Sequence, residues 1–275
     1  MNAHLPEPRA AAPIGIFDSG VGGTTVLREI RALLPDEPLL YLADQARCPY
    51  GPRSTDTLRR FTLENTDWLL ARGAKMIVIA CNTASAAALR WVRQQRPGVP
   101  FVGMVPALKP AALNSRSGVV GVLATPATMQ GRLLREVREQ WAGHVAIVEQ
   151  IGEGLVPQIE AGALESDETR ALLWRYLAPM VQAGADTVVL GCTHYPYLTP
   201  LIQDLAPSLQ IVDAAPAVAL QVGRVLDQMS LRHPPRDSSL LYTTTGPLPA
   251  FGALLQRLCL PTGVVARAGG HPATR

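Results

Sequence analysis

Long uninterrupted apolar runs are missing from this chain of 275 residues, so we expect no membrane-spanning helix and no membrane partner. Residues 1–13 also lack the apolar core of a secretory signal, which predicts a cytoplasmic protein. An excess of one charge is absent as well, because 25 Lys and Arg face 22 Asp and Glu and leave a net charge of +3. No dense basic run with interleaved aromatic residues occurs, so nucleic acid is not an expected partner.

Cysteine is sparse too. The four cysteines, Cys48, Cys81, Cys192 and Cys259, lie far apart, in a chain whose size makes disulfides unnecessary for stability. No two of them have the close spacing of a structural zinc site, and Cys192 with His194 alone would supply too few ligands. We therefore expect that the protein binds no metal. The thiols should be free, and their importance should lie in reactivity or packing.

Apolar residues are plentiful at 48%, enough to form the cores of two domains of ordinary size. Short β-branched runs alternate with segments of helical periodicity, which predicts an α/β fold with parallel sheets. The main predicted strands are 14–17, 39–42, 76–80, 101–104, 119–123 and 187–190.

The sequence also contains an internal repeat. Residues 73–81 (GAKMIVIAC) and 184–192 (GADTVVLGC) each run from a glycine through a predicted strand to a cysteine, and the two cysteines are 111 positions apart (192 − 81). A weaker match links 14–19 to 120–125, at the similar offset of 106 (120 − 14). The repeat predicts two pseudo-symmetric domains of duplicated origin, with the active site in the cleft between them.

The predicted domain limits follow from this repeat. They are 13–103 plus 217–267 for the first domain, 104–216 for the second, and 1–12 and 268–275 for disordered tails. We place the connecting segments near 97–106 and 213–216. Four histidines in polar or terminal segments are expected at the surface: His4, His144, His233 and His271.

Both repeats end in a cysteine with polar residues directly after it, 82–83 after Cys81 and 193–194 after Cys192. Ligands of open parallel sheets bind beyond the carboxyl ends of strands, and a helix N-terminus there favours a thiolate. A lone cysteine at such a place is more often a small buried apolar residue. Two at matching positions favour a reactive pair that reaches one carbon from opposite faces.

Two turns are candidates for substrate binding. Asp18 and Ser19 open a glycine-rich turn that has neither the lysine of a P-loop nor the third glycine of a dinucleotide motif. Asp18 is either a helix cap or a site carboxylate that accepts a substrate ammonium or a thiol proton. Residues 48–52 (CPYGP) are either a plain turn or a set of backbone N–H groups for a carboxylate.

Taken together, these motifs resemble the glutamate racemase family over residues 14–260. The matching segments are 16–23 (IFDSGVGG), 48–51 (CPYG), 80–84 (ACNTA) and 190–196 (LGCTHYP). The last two, in this order and at this separation, are the specific ones. The resemblance implies two pseudo-symmetric α/β domains with glutamate in the cleft between them, and no pyridoxal phosphate, flavin or metal.

The resemblance also implies roles for single residues. Cys81 takes the α-proton from D-glutamate and Cys192 takes it from L-glutamate, while Asp18 assists Cys81 and His194 with Glu160 assists Cys192. The residues implied to bind the substrate are Asp18, Ser19, Tyr50, Gly51, Asn82, Thr83, Thr193 and His194. Contacts of Thr125 and Thr128 with the substrate stay open, as does the choice between Glu160 and Glu153.

The same chemistry follows from the reaction itself. Inversion needs one group to remove a proton while another delivers one on the opposite face, so one sulfur must be a thiolate and the other a thiol. Because no electron sink is present, hydrogen-bond donors must stabilise the charge that develops on the α-carboxylate. The resemblance further implies D-glutamate for peptidoglycan precursors, and a homodimer, since relatives are often dimers.

Four other functions compete with this interpretation. One is a racemase for aspartate or another amino acid on the same scaffold, because two cysteines do not select side-chain length. A decarboxylase or isomerase can work with one cysteine, and thiol-based hydrolysis gives the second cysteine no role. A non-catalytic small-acid binding protein would keep the cleft but has no need of the paired thiols.

Overall fold

The computed structural model describes residues 10–235 and 238–274. Within these ranges ten strands form two parallel sheets. The strands are β1 (Ile14–Asp18), β2 (Leu39–Ala43), β3 (Met76–Ile79), β4 (Phe101–Gly103), β5 (Val119–Ala124), β6 (Ala146–Ile151), β7 (Thr187–Gly191), β8 (Gln210–Val212), β9 (Leu240–Thr244) and β10 (Val264–Arg267). The predicted parallel α/β fold is therefore confirmed.

Helices connect the strands. The α-helices are α1 (Thr24–Leu33), α2 (Thr55–Leu70), α3 (Asn82–Gln95), α4 (Leu108–Asn114), α5 (Pro126–Met129), α6 (Arg132–Trp141), α7 (Leu155–Glu160), α8 (Asp167–Gln182), α9 (Thr199–Leu205), α10 (Ala215–Gln228) and α11 (Leu248–Arg257). Short 3-10 helices cover Gln45–Arg47, Tyr195–Leu198 and Pro272–Thr274. No helix within 10–235 or 238–274 is long and apolar enough to cross a bilayer.

Four adjacent strands of the first sheet, β2-β1-β3-β4, repeat the topology of the whole second sheet. The strand order is β10-β9-β2-β1-β3-β4 in the first sheet and β6-β5-β7-β8 in the second. Ile14 pairs with Met76 in the first, and Val120 pairs with Thr187 in the second. These pairs join the positions that the sequence repeat aligns, so the predicted pseudo-symmetry extends to the register of the strands.

The helices that precede the two cysteine strands also begin and end alike. The Ser54 hydroxyl accepts from the Thr57 N–H at the start of α2, and Ser166 caps α8 in the same way. Each helix is followed by a glycine at positive φ, Gly73 at 81° and Gly184 at 77°, a conformation that side chains other than glycine rarely adopt. Local capping signals thus set both helix–strand junctions.

The chain leaves the first sheet after β4, builds the second sheet, and returns through α10, which packs on α1. Strands β9 and β10 then extend the first sheet beyond β2. Core strands such as β1, β2 and β3 are buried along their whole length, as expected for parallel strands that are covered on both faces. The predicted limits of the two domains, in the segments where the chain passes between the sheets, stay a prediction.

The prediction of a disordered tail from residue 268 was wrong for residues 268–274. Ala268 and His271 are fully buried, and the Trp68 Nε1–H donates to the Gly269 carbonyl at 3.1 Å. At the other end, the carbonyl of Ala10, inside the predicted tail 1–12, accepts from Lys75 Nζ at 2.6 Å. Residues 1–9 and 275 lie outside the described ranges.

Two of the histidines expected at the surface are buried instead. His271 is 0% exposed and His233 is 6% exposed, because each is drawn in by hydrogen bonds to interior groups. The backbone N–H of His233 donates to Glu37, a carboxylate that is itself paired with buried Lys75. His144 is exposed, and His4 lies outside the described residues.

Candidate active site

The carboxyl ends of the two sheets meet around one cavity of about 210 Å³, smaller than the roughly 300–1,000 Å³ of pockets for drug-sized ligands. It therefore suits a small molecule. We call the part of the molecule built on the first sheet the first half, and the part built on the second sheet the second half. The polar and thiol residues that the first half contributes to the cavity are Ser19, Tyr50, Cys81, Asn82 and Thr83. The corresponding lining from the second half is Thr125, Glu153, Cys192, Thr193 and His194. We call this cavity the cleft.

Cys81 stands between β3 and α3, as the N-cap of that helix, with its sulfur accepting from the Ala84 N–H at 3.5 Å. Its exposed fraction is only 4%. Burial and the neighbouring charge of Asp18 raise the pKa of the Cys81 thiol well above its usual value. The expectation that the helix N-terminus brings this thiolate within reach of neutral pH is corrected, because burial outweighs the helix dipole.

Asp18, the last residue of β1, is fully buried beside the cleft. Its carboxylate accepts from the Gly20 N–H at 2.8 Å and from the Thr193 hydroxyl at 3.1 Å, so it links the two halves. It does not cap α1, whose N-cap is Gly23. Burial raises the pKa of Asp18, against the opposing effects of His194 and the Gly20 N–H.

Cys192 directly follows β7, but the helix expected after it is replaced by a 3-10 turn that leads into α9. The Cys192 sulfur lies 3.8 Å from His194 Nδ1, and His194 Nε2 lies 2.7 Å from Glu160 Oε1. The structure thus lines up a thiol, an imidazole and a carboxylate. Glu153, the alternative to Glu160, is instead exposed at the cleft wall.

The electrostatics around Cys192, His194 and Glu160 differ from those around Cys81. Burial opposes the protonated form of His194, but hydrogen bonds to Cys192, Cys48 and Glu160 outweigh it and raise the pKa of His194 well above its usual value. Burial also opposes the ionised form of Glu160, yet hydrogen bonding and charge from His194 hold its pKa below its usual value. An imidazolium between a carboxylate and a sulfur is the favoured state.

Glu160 is held in place from the opposite half of the molecule. Oε1 accepts from the Val21 N–H at 2.6 Å, and Oε2 accepts from Gln45 Nε2 at 2.7 Å. A side chain at Gly20 would overlap the Glu160 carboxylate, and one at Gly22 would overlap the His194 ring. The glycine-rich turn therefore serves the close approach of these two residues rather than a phosphate.

Asn82 has the signature of a ligand-binding residue. It is 3% exposed, and among the described residues neither its Oδ1 nor its Nδ2 has a hydrogen-bond partner. A buried amide without partners is costly, so a bound molecule in the cleft is the natural partner.

Threonines connect the halves nearby, since Thr83 and Thr125 hydroxyls lie 2.8 Å apart. Thr128 reaches the site only through Thr125, at 2.9 Å, and is absent from the residues that line the cleft.

Several residues near the site escaped the sequence analysis. Gln45 binds Glu160, and buried Asp44 accepts from the Tyr50 hydroxyl. Both follow β2 as Ser19 follows β1, so the carboxyl end of a strand was the signal that pointed to them.

The sequence analysis placed Cys48 in a candidate turn but gave its thiol no role. Ligand atoms of Cys48, Glu160 and His194 lie within 4.8 Å of one another, a donor set of the kind that zinc accepts. The sequence analysis weighed only Cys192 and His194 together as metal ligands. Because Glu160 and His194 already bind each other, a metal here would have to break that pair.

Comparisons with known proteins agree with this geometry. The family model for Asp/Glu/hydantoin racemases matches residues 21–222. The glutamate racemase of Roseiflexus sp. (strain RS-1) is 56% identical over 263 residues, which cover 94% of this chain and 97% of the relative.

Two solved structures are similar along nearly the whole chain. Escherichia coli glutamate racemase, in complex with L-glutamate and the activator UDP-MurNAc-ala, has a TM-score of 0.81 and 31% identity, covering 93% of this chain and 98% of that one. Glutamate racemase from Francisella tularensis subsp. tularensis SCHU S4, in complex with D-glutamate, has a TM-score of 0.82 and 25% identity, covering 94% and 97%. By fold, site and sequence, this chain belongs to the glutamate racemase family and is an amino-acid racemase, an isomerase.

Proposed function

We propose that this protein interconverts L- and D-glutamate without a cofactor, by proton transfer at the α-carbon between two cysteines. The observation that carries the proposal is that Cys81 and Cys192, at matching positions of two repeats, line one small cleft. Each has its own buried acid–base neighbour, Asp18 for Cys81 and His194 for Cys192. Two bases on opposite walls are what inversion at carbon requires.

In the direction from L- to D-glutamate, the Cys192 thiolate removes the α-proton and the Cys81 thiol delivers another from the opposite face. The high pKa of Cys81 keeps it a thiol that is ready to donate. The His194 imidazolium, held by Glu160, stabilises the Cys192 thiolate through Nδ1. This form of the enzyme accepts L-glutamate.

The product state has the opposite protonation, with a thiol at Cys192 and a thiolate at Cys81. It is the form that turns over D-glutamate by the same steps in reverse. Because its pKa is raised, the Asp18 carboxyl can carry the proton that restores the Cys81 thiol. Each sulfur thus acts as base for one enantiomer and as acid for the other.

Neutral donors hold the substrate in this proposal, because neither Lys nor Arg lines the described cleft. The partner-free amide of Asn82, with Thr83 and Thr193, binds the α-carboxylate and stabilises the charge that develops there. Asp18 and Ser19 receive the α-ammonium, and the backbone of Tyr50 and Gly51 binds the side-chain carboxylate. A closed, water-poor cleft strengthens each of these contacts.

Circular dichroism with purified protein and no added cofactor tests the proposal. Cys81→Ser and Cys192→Ser should each abolish interconversion of the glutamate enantiomers, whereas Cys259→Ser, at an exposed thiol, should leave it intact. In D₂O, early D-glutamate formed from L-glutamate should carry deuterium while the remaining L-glutamate does not. Normal turnover in either site variant would refute the two-cysteine mechanism.

The choice of glutamate is tested separately, by deuterium uptake at the α-carbon across a panel of L- and D-amino acids. The solved relatives that bind L- or D-glutamate support it, and exchange of aspartate without exchange of glutamate would replace it. We further propose that the product supplies peptidoglycan precursors and that the protein forms a homodimer. Light scattering at several protein concentrations tests the dimer.

A further inference from the structure

A chain of buried hydrogen bonds runs from the C-terminal segment, residues 268–274, to the wall of the cleft. It starts at His271, which is 0% exposed and packs against the edge of Trp68 at a centroid distance of 6.1 Å. The mechanism above uses neither residue.

The protonation of His271 follows from its neighbours. Nδ1 accepts from the backbone N–H of Ala273 at 3.1 Å, so the ring proton is on Nε2, which donates to Asn65 Oδ1 at 2.8 Å. Burial and the charges of Arg47 and Arg72 lower the pKa of His271 to about 4. The ring is thus neutral near pH 7, with Nδ1 as acceptor and Nε2 as donor. Arg47 Nη2, 3.3 Å from Nε2, shares Asn65 Oδ1 with it as an acceptor.

Asn65 passes this orientation on. Its Oδ1 accepts from His271 and from Arg47 Nη2 at 3.1 Å, so its Nδ2 must face the other way, toward the Tyr50 hydroxyl at 3.1 Å. Tyr50 in turn donates to the buried Asp44 carboxylate. Each member of the chain therefore has a single orientation that satisfies all of its partners.

The reverse orientation of the Asn65 amide would turn its Nδ2 toward two donors, His271 and Arg47. The Tyr50 hydroxyl would then have to donate to Asn65 Oδ1 and give up its bond to Asp44. His271 and Arg47 both need an acceptor at the position of Oδ1, and they therefore exclude this arrangement. Without the neutral donor of His271, only the single bond from Arg47 would oppose the reversed amide.

Tyr50 is where the chain meets the substrate. Tyr50 and Gly51 line the cleft, and at Gly51 the backbone comes so near the opposite half that a Cβ there would lie 3.4 Å from Thr125. The phenol of Tyr50 anchors this loop from behind. A shift of the anchor would move the backbone N–H groups that face the ligand.

We propose that His271 is a positioning residue, which through Asn65 fixes Tyr50 and the backbone wall that binds the side-chain carboxylate of the substrate. The inference rests on the proposed function for the identity of that carboxylate. It predicts that loss of the His271 donor weakens substrate binding more than it slows proton transfer. A role in stability alone would leave the affinity of the folded enzyme unchanged.

The test compares His271→Leu, which fills the space without a donor, with His271→Gln, whose amide N–H can reach Asn65. We expect His271→Leu to raise KM for glutamate about tenfold, the order of one lost hydrogen bond, with kcat changed by less than about twofold. His271→Gln should recover most of the loss. Thermal melts by circular dichroism show whether each variant is folded at the assay temperature.

Asn65→Leu provides a second route to the same conclusion. It should raise KM as well, and adding His271→Leu to it should cause little further change, because both substitutions cut one chain. An unchanged KM in folded His271→Leu, or equal KM values for the Leu and Gln variants, would overturn the inference. Absence of glutamate turnover in the unsubstituted protein would instead refute the proposed function.

Discussion

The two walls of the cleft have the same frame but different chemistry. Both cysteines follow the equivalent strand of a four-stranded unit, β3 and β7. Cys81 has a carboxylate beside it, and burial with that charge raises the pKa of its thiol. Cys192 has an imidazole at 3.8 Å, whose pKa is raised, against the effect of burial, by hydrogen bonds to Cys192, Cys48 and Glu160.

This difference gives two sulfurs at equivalent positions of a duplicated fold different electrostatic surroundings. Strand position places the sulfurs, whereas the neighbours that set their protonation come from elsewhere in the chain. Glu160 belongs to α7 of the second half, yet it is held by Val21 and Gln45 of the first half. Conversely, Thr193 of the second half donates to Asp18 of the first.

The largest expected effects come from removing the two helpers, His194→Ala and Asp18→Asn. Each should lower kcat/KM by about 10²- to 10⁴-fold, the range for loss of an acid–base group. The reduction in kcat/KM must be equal in both directions, because the enantiomers have equal free energy in solution. The asymmetry of the two walls should appear in isotope effects instead.

Substrates deuterated at the α-carbon measure that asymmetry. His194→Ala weakens the Cys192 base, so the isotope effect should rise with L-glutamate more than with D-glutamate. Asp18→Asn should show the opposite preference. Equal isotope effects for both enantiomers in both variants would contradict the assignment of one helper to each cysteine.

A smaller loss is expected from Gly22→Ala, because the added methyl group would overlap the His194 ring. A displaced imidazole should cost about 10²-fold in kcat/KM, the size expected for a misplacement of about 1 Å. Gly252→Ala is the matched control, since no atom of the described residues lies within 4 Å of a Cβ at that site in α11. Steady-state kinetics and a thermal melt of both variants separate activity from folding. Full activity in Gly22→Ala would show that the turn does not position His194.

The smallest effect concerns a part of the first half that has no described counterpart in the second, the C-terminal segment 268–274. The pKa of His271 is about 4 in the folded protein and near 6.5 when unfolded. The unfolded chain therefore binds more protons between these values, and the free energy of unfolding falls as pH drops from about 6.5 to 4.

In His271→Gln this contribution disappears, so the stability difference from the unsubstituted protein should change across that window. From these two pKa values we expect on the order of 2 kcal/mol between pH 7 and pH 4.5. Urea unfolding at pH 7 and pH 4.5 measures it, and the comparison between the two proteins cancels the titration of shared carboxylates. Parallel pH dependences would mean that His271 titrates normally.

Much of the fold was readable because its signals are local. Strand apolarity and the glycines after α2 and α8 act over a few residues, and their repetition predicted the two matching units. Cys81 and Cys192 were found for the same reason, since each directly follows a strand. Asn82, Thr83 and Thr193 came with them as neighbours in sequence.

The misses involve long-range packing. The short motif around Glu160 could not separate it from Glu153, because Gly154, at a φ of 82°, turns the chain between the two residues. The C-terminal segment lacks strong periodicity, so its polar composition suggested disorder. Its burial depends on Trp68 and Asn65, about 200 positions away.

The sequence by itself determined the parallel α/β units, their repetition and the strand-end position of both cysteines, because chain periodicity and capping chemistry act between near neighbours. The tertiary structure alone decided which polar group stands beside each sulfur and which groups stay charged. Those properties depend on burial and on contacts between distant segments, such as His194 with Glu160 and Asp18 with Thr193. No local pattern encodes the dielectric environment that sets a pKa.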